Sequence, residues 1–344
     1  MATGEAAAAA IRPYPTAAPL PPGLVLRHLR PPDDYPAMNA FANAIRAAEG
    51  DDFYTTDEQF QKFYDNLSGS DPATDVAIAE RDGRIVGYGR AASHQELDGT
   101  RIYEVIPFVD PTVAGQEVFT AMVDAIEARV RAIAADHPSG AGFLETFGGD
   151  LAPERDALLE AAGYVPVRHY YAMVRPHVDD LPDAPLPPGL EIRAVQPEHM
   201  PLIWAADQEA FRDHWGYTPA TDADYQVFLT EPVMADTSLW RIAWEGDEVA
   251  GQVRSFINAE ENERHGRLRG YTEHISVRRP WRRRGLARAL IAASFPLLRA
   301  RGMTEAALGV DTENTSGALR VYEGCGFRPV KRSTTYRKPL PGIP

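Results

Sequence analysis

The feature that most constrains this chain is that its pattern is written twice. The copies lie about 165 residues apart, a spacing too long for a solenoid and suited to a duplicated domain. Gly23-Leu24-Val25-Leu26-Arg27 opens one copy and Gly189-Leu190-Glu191-Ile192-Arg193 opens the other. Each is a short alternating strand, followed by prolines and acidic residues that start a helix. A hairpin follows in both copies. Residues 75–80 and 84–90 are joined by Arg81-Asp82-Gly83, and residues 239–244 and 248–254 by Glu245-Gly246-Asp247. Asp and Gly stand where a tight connection needs positive φ. A further strand (101–109; 270–277), a long amphipathic helix, a strand, a short helix and closing strands complete each copy. The endings, 158–168 and 321–331, align without a gap, with Gly163-Tyr164 opposite Gly326-Phe327.

This order predicts an α+β chain of two tandem domains, each a mixed, largely antiparallel sheet flanked by helices. The length of 344 residues also favours two cores over one. Residues 1–22 read as a disordered Ala/Pro-rich tail, 23–176 as the first domain, 177–189 as a stiff Pro-rich linker and 190–344 as the second domain. With 44% hydrophobic and 24% charged residues the composition is that of a water-soluble globular protein. No apolar run approaches the roughly 20 residues that span a bilayer, so no membrane partner is expected. The single cysteine, Cys325, excludes an internal disulfide and fits a reducing, cytoplasmic setting. A net charge of −14 makes the surface as a whole repel phosphate backbones, so no nucleic-acid partner is expected.

Against that background an arginine run in the second copy stands out. The strand ending at Val277 leads into Arg278-Arg279-Pro280-Trp281-Arg282-Arg283-Arg284-Gly285-Leu286-Ala287-Arg288, and Leu290, Ile291, Phe295 and Leu298 then mark a helix face. Small residues at 285 and 287 allow close backbone approach, and a helix start presents unpaired N–H groups. Together with flanking guanidinium groups this makes an anion site suited to a pyrophosphate. Three other readings stand beside it: a solvated face, a nucleic-acid or import patch, and a set of partners for neighbouring acids.

Val277, Arg282, Gly285 and Ala287, followed by Asn314 and Tyr322-Glu323-x-x-Gly326-Phe327, resemble the two signatures of the GNAT superfamily of N-acetyltransferases. The resemblance is clear over 190–340 and faint over 24–176. It implies a sheet whose fourth and fifth strands splay, with the pantetheine arm of acetyl-CoA in the gap. Backbone groups of Ile275, Ser276 and Val277 would hold that arm, and Arg282, Arg283, Arg284, Gly285, Leu286, Ala287 and Arg288 the pyrophosphate. Asn314 would cap the following helix or bind the arm. Tyr322 would protonate the leaving thiolate, though a tyrosine beside a Gly-Phe turn also packs. The sequence departs from the family by placing Tyr322 one residue farther from Asn314.

Amine acetylation also needs a base. Residues 271, 273, 275 and 277 would share a strand face, which brings Glu273 beside the acetyl group. Family members that carry a glutamate on the fifth strand have it where this chain has Gly309. The alternative is that Glu273 pairs with nearby arginines or Tyr271. His274, on the other face, reads as structural. No CxxC or HExxH pattern suggests a metal. The expected reaction is direct acetyl transfer from acetyl-CoA to a primary amine of a small molecule. A protein amino group, or a non-enzymatic acyl-CoA sensor, is the alternative. Residues 204–225, with Asp207, Glu209, Asp213, Asp222, Asp224, Phe211, Trp215 and Tyr217, read either as an acidic acceptor groove or as ordinary helix surface. With Val109 set against Val277, the first copy has Ala114 for Arg282, Gln116 for Arg284, Glu117 for Gly285 and Leu159 for Tyr322. It reads as a non-catalytic partner.

Overall fold

The computed structural model describes residues 12–16, 18–180, 183–314 and 316–341. The chain divides into two compact units: Met1–Gln95 with Gly99–Val167 and Thr335–Pro344, and Glu96–Asp98 with Arg168–Thr334. These bounds cross those read from the sequence. Residues 168–175 go with the second unit and 335–344 with the first.

The first unit runs β1 (Leu24–His28), α1 (Tyr35–Glu49), α2 (Asp57–Asp65), α3 (Pro72–Asp75), β2 (Val76–Arg81), β3 (Arg84–Gln95), β4 (Arg101–Phe108), α4 (Pro111–Ala114), α5 (Gln116–Ala135), β5 (Gly142–Gly149) and α6 (Pro153–Ala161). The strand β6 (Val165–Arg175) then leads into the second unit. That unit contains β7 (Glu191–Arg193), α7 (Met200–Phe211), α8 (Asp222–Thr230), β8 (Trp240–Glu245), β9 (Glu248–Phe256), α9 (Ala259–His265), β10 (Arg269–Val277), α10 (Leu286–Ala300), β11 (Glu305–Asp311), α11 (Ala318–Gly324) and most of β12 (Arg328–Pro339).

The repeat appears as one pairing order used twice. β1 to β4 pair antiparallel in sequence and β4 pairs parallel with β5. β7 to β10 do the same, and β10 pairs parallel with β11. The β2–β3 turn places Asp82 at φ 52 and Gly83 at φ 70, the left-handed pair that matches strand twist in a two-residue hairpin. The parallel step in each unit needs a helical crossover, which α5 and α10 supply. Each unit has a core on both sheet faces. In the second, Leu286, Leu290, Ile291, Phe295 and Leu298 of α10 bury one face, and Ile203 and Ala206 of α7 meet Trp240, Ile242 and Trp244 on the other. The helix α9 is absent from the sequence reading, although Asn258 caps it by accepting from the Glu261 N–H and Gly266 ends it at φ 58.

Of the expected tail, residues 1–11 and 17 lie outside the described residues. Residues 12–16 depart from the tail reading, because Tyr14 is buried and its N–H donates to the Leu26 carbonyl. Of the expected linker, 181 and 182 are likewise outside the description, and Val178 is buried in the second core. No helix among the described residues is long and apolar enough to cross a membrane.

A buried ion pair crosses the α7 face of the second unit. Asp207 on α7 accepts from Arg254 on β9 at 2.7 Å, and both side chains are almost wholly shielded. The Arg254 guanidinium also lies over the Phe228 and Trp240 rings. Breaking such a pair leaves a buried charge unanswered. Arg254→Met is expected to destabilise the protein by about 3–5 kcal/mol in urea unfolding, and a loss below about 1 kcal/mol, the range of a surface pair, would contradict the buried-pair account.

Candidate active site

β10 and β11 are parallel partners only at Arg269↔Glu305, Gly270↔Ala306 and Tyr271↔Ala307. On its other edge β10 carries a bulge against β9, where the register passes from Glu273↔Arg254 to Ser276↔Gln252. An extra residue in one strand bends it and re-aims its side chains. Here His274 takes the strain, with φ 48, a conformation uncommon for a residue bearing a Cβ. The expected sharing of one face by 271, 273, 275 and 277 therefore fails at the bulge. Glu273 and Ser276 stand opposite Arg254 and Gln252, whose side chains both reach Asp207.

Where the strands part, a cavity of about 890 Å³ opens within the second unit. Glu273, Ile275, Ser276, Val277, Arg282, Arg283, Gly285, Leu286, Ala287, Arg288, Asn314 and Tyr322 all line it. Arg284 does not. Its guanidinium donates to the Pro188 carbonyl and lies 3.8 Å from Glu245.

The arginine run separates into two sets. Arg278 pairs with Glu209 and Glu248, Arg279 with Asp213, and Arg282 with Asp213 at 2.9 Å. Arg282 also donates to the Val277 and Ala210 carbonyls, tying the end of α7 to the end of β10. That leaves the Val277 carbonyl already bonded to the protein. Among the described residues no carboxylate pairs with Arg283 or Arg288, and both line the cavity. Beside them α10 begins at Gly285, whose φ of 83 suits glycine and which has open space where a side chain would stand. The Ala289 N–H donates to the Gly285 carbonyl. The N–H groups of Leu286, Ala287 and Arg288 belong to the unpaired first turn. Helix dipole, free N–H groups and two unpaired guanidiniums make this end of the cavity an anion cradle.

In the same cavity lining, the half-buried Glu273 carboxylate accepts from the Gly309 N–H at 2.9 Å. A Cβ at 309 would stand 3.8 Å from the carboxylate, an ordinary contact, so the bond depends on the backbone N–H and not on the absence of a side chain. Neither sequence alternative for Glu273 holds. Tyr271 bonds to Glu261, and among the described residues no arginine pairs with Glu273. Burial raises its pKa to about 7, with the Gly309 N–H only partly opposing the shift. Tyr322, on α11, is buried, and its hydroxyl pKa is pushed well up by burial and then by the Glu273 charge. Asn314 does not cap α11. The cap residue is Gly317, and the Asn314 side chain accepts from the Ser316 N–H in the preceding turn. Ser276 is buried with its hydroxyl donating to Asp207. Cys325 is buried in the core and its thiol pKa is raised by that burial.

The acidic acceptor groove does not form as read. Asp207 is buried, Glu209 and Asp213 answer arginines, and Asp224 caps α8 through Thr221. Trp204 and Tyr225 pack on each other and on Phe228. From the 204–225 stretch Ala210, Phe211, Asp213 and His214 do line the cavity, together with Tyr170, Tyr171 and Lys331 from β6 and β12. The sequence reading missed the two tyrosines by assigning 168–175 to the first domain; the aromatic run His169-Tyr170-Tyr171 was the available signal. His274, read as structural, also faces the cavity.

The acetyltransferase (GNAT) family model matches the chain twice, over residues 39–138 and 201–327. The chain belongs to the GNAT acetyltransferase family. A mycothiol acetyltransferase of Salinispora arenicola (strain CNS-205) is 30% identical over 275 residues, covering 78% of this chain and 82% of that protein. One from Salinispora tropica is 30% identical over 261 residues, covering 74% and 78%. Among solved structures, a GCN5-related N-acetyltransferase from Sphaerobacter thermophilus superposes with a TM-score of 0.72 at 25% identity, covering 93% of this chain and 97% of that one. This protein is accordingly a GNAT-type N-acetyltransferase that uses acetyl-CoA.

The first unit's helix start differs. Gly115 is the cap of α5, as Gly285 is of α10, which sets Glu117 against Ala287 rather than Gly285. The Glu117 carboxylate folds back to within 2.5 Å of where a Gly115 side chain would begin, and Arg81 stands 3.6 Å from it. Leu159 is fully buried in the first unit's core.

Glu273 also links pH to stability. Its folded pKa of about 7 lies above its ordinary 4.5, so between those values the folded state holds a proton that the unfolded state has released. The stability this contributes is full below 4.5 and is lost as pH rises through about 7. Glu273→Gln is expected to flatten the decline in unfolding free energy across that window; an unchanged slope would contradict the raised pKa.

Proposed function

We propose that the protein moves an acetyl group from acetyl-CoA to a primary amine of a small molecule by direct attack, with Glu273 as base and Tyr322 as acid. The observation that carries this is the meeting of a carboxylate poised near neutrality and a buried tyrosine in one cavity, close enough for the Glu273 charge to bear on the Tyr322 hydroxyl. The pyrophosphate would rest on the N–H groups opening α10, with Arg283 and Arg288 beside it, and the pantetheine arm along the edge of β10 that β11 has left. Ile275 and Ser276, at the bulge, would then flank the acetyl group.

A base whose pKa lies near the working pH is ionised often enough to act and basic enough to take a proton. Glu273 would accept it as the nitrogen–carbon bond forms. Tyr322 stays protonated at neutral pH and so has a proton for the sulfur as the carbon–sulfur bond breaks. A small-molecule acceptor is supported by the tyrosines Tyr170 and Tyr171 in the cavity lining and by the relatives' name, mycothiol acetyltransferase.

The rate of coenzyme A release with an amine panel tests this. kcat/KM is expected to rise with pH through about 7, and Glu273→Gln to lower it by roughly 10²-fold and remove that step. Tyr322→Phe is expected to lower kcat by about 10²-fold or more while leaving coenzyme A affinity little changed. Unaltered turnover in Tyr322→Phe would remove the acid from the mechanism.

A further inference from the structure

Acetylating an amine at neutral pH leaves one proton over. The acceptor nitrogen enters as an ammonium with three protons and leaves as an amide with one, while the thiolate gains one. Glu273 and Tyr322 can pass the second proton from nitrogen to sulfur and return to their starting states, but the first must leave by another route. We propose that His274 is the base that takes this first proton from the acceptor ammonium, with Asp207 as the residue that positions it.

His274 is the strained residue of the β10 bulge, and its side chain is 46% exposed where it lines the cavity. Its Nδ1 lies 3.6 Å from Asp207 Oδ2, a long contact of the kind that tightens once substrate is bound or the ring is charged. That geometry directs the opposite nitrogen, Nε2, away from Asp207. Asp207 is itself fixed, accepting from Arg254 at 2.7 Å, Gln252 at 2.8 Å and Ser276 at 3.1 Å. A buried carboxylate behind one ring nitrogen holds an imidazole in one orientation and stabilises the imidazolium it becomes. The charged and titratable groups facing the ring's surroundings are Asp207 and its partner Arg254, Glu273 on its own strand, and Asp213, His214, Arg282, Arg283, Arg288, Asp311 and Lys331 among the cavity walls.

The step balances. Nε2 takes a proton from the ammonium, giving a neutral amine and an imidazolium paired with Asp207, and the imidazolium releases that proton to solvent. The amine lone pair then attacks the acetyl carbon. Glu273 accepts the second nitrogen proton, Tyr322 protonates the departing sulfur, and the Glu273 proton restores the phenol. One proton reaches solvent for each amide formed.

This inference rests on the acetyl-transfer reading, so its test has an arm free of turnover. In the full-length protein, ring-nitrogen NMR is expected to find neutral His274 with its proton on Nδ1 and Nε2 bare, a preference lost in Asp207→Asn. A proton resident on Nε2 would overturn the proposal. In the kinetic arm, wild type and His274→Gln are compared on benzylamine, an ammonium at about pH 7, and on aniline, a neutral amine there. The variant is expected to lose about 10²-fold on benzylamine near pH 7, to recover as pH approaches about 9.5, and to lose less than about threefold on aniline. An equal, pH-independent loss on both amines would overturn the role of His274 alone. Absence of wild-type turnover on every amine would count against the acetyl-transfer reading, and the NMR arm would still decide the fate of Nε2.

Discussion

The second unit depends on the place where two parallel strands stop being partners. β10 and β11 stay together through Tyr271 and Ala307 and then diverge. This divergence frees one edge of β10, opens the cavity, and puts the Gly309 N–H where the Glu273 carboxylate can take it. The bulge on the opposite edge of β10 is held from behind by Asp207, which binds Ser276 on β10 and both Gln252 and Arg254 on β9. The strain at His274 is thus maintained by a buried polar network in the sheet layer.

The electrostatics follow from what the arginine run is matched against. Four of its guanidiniums are answered by Glu209, Glu245, Glu248 and Asp213, so a stretch that looks densely cationic in sequence is largely neutralised in space. Arg283 and Arg288 remain, at the unpaired start of α10. The first unit has the same glycine at the same helix start, but the nearby charge belongs to the chain itself, in the Glu117 carboxylate. An anionic ligand that the second cradle attracts would meet like charge in the first.

Much of this was legible in the sequence because it rests on local periodicity and turn chemistry. The hairpins, the crossover helices and the Gly285 helix start follow from spacing that a linear reading captures, whereas Tyr322 was singled out by the family resemblance. The strand parity around Glu273 did not, since a bulge adds a residue without any local signature in Glu273-His274-Ile275. The acids at 207, 209 and 213 could be read as a groove because pairing with Arg254, Arg278 and Arg282 depends on contacts 47–69 residues away. The unit bounds were misread for a similar reason. Nothing in the Pro-rich stretch near 176–189 reveals that Tyr170–Arg175 pairs with β11.

The central claim is that one anion cradle, at the start of α10, takes the cofactor. Calorimetric titration of the whole chain with coenzyme A tests it most directly. The account predicts one coenzyme A per chain, with affinity falling about tenfold or more in Arg283→Ala and in Arg288→Ala and holding in Arg284→Ala. Two equivalents bound per chain, or full affinity after both cavity arginines are removed, would contradict it.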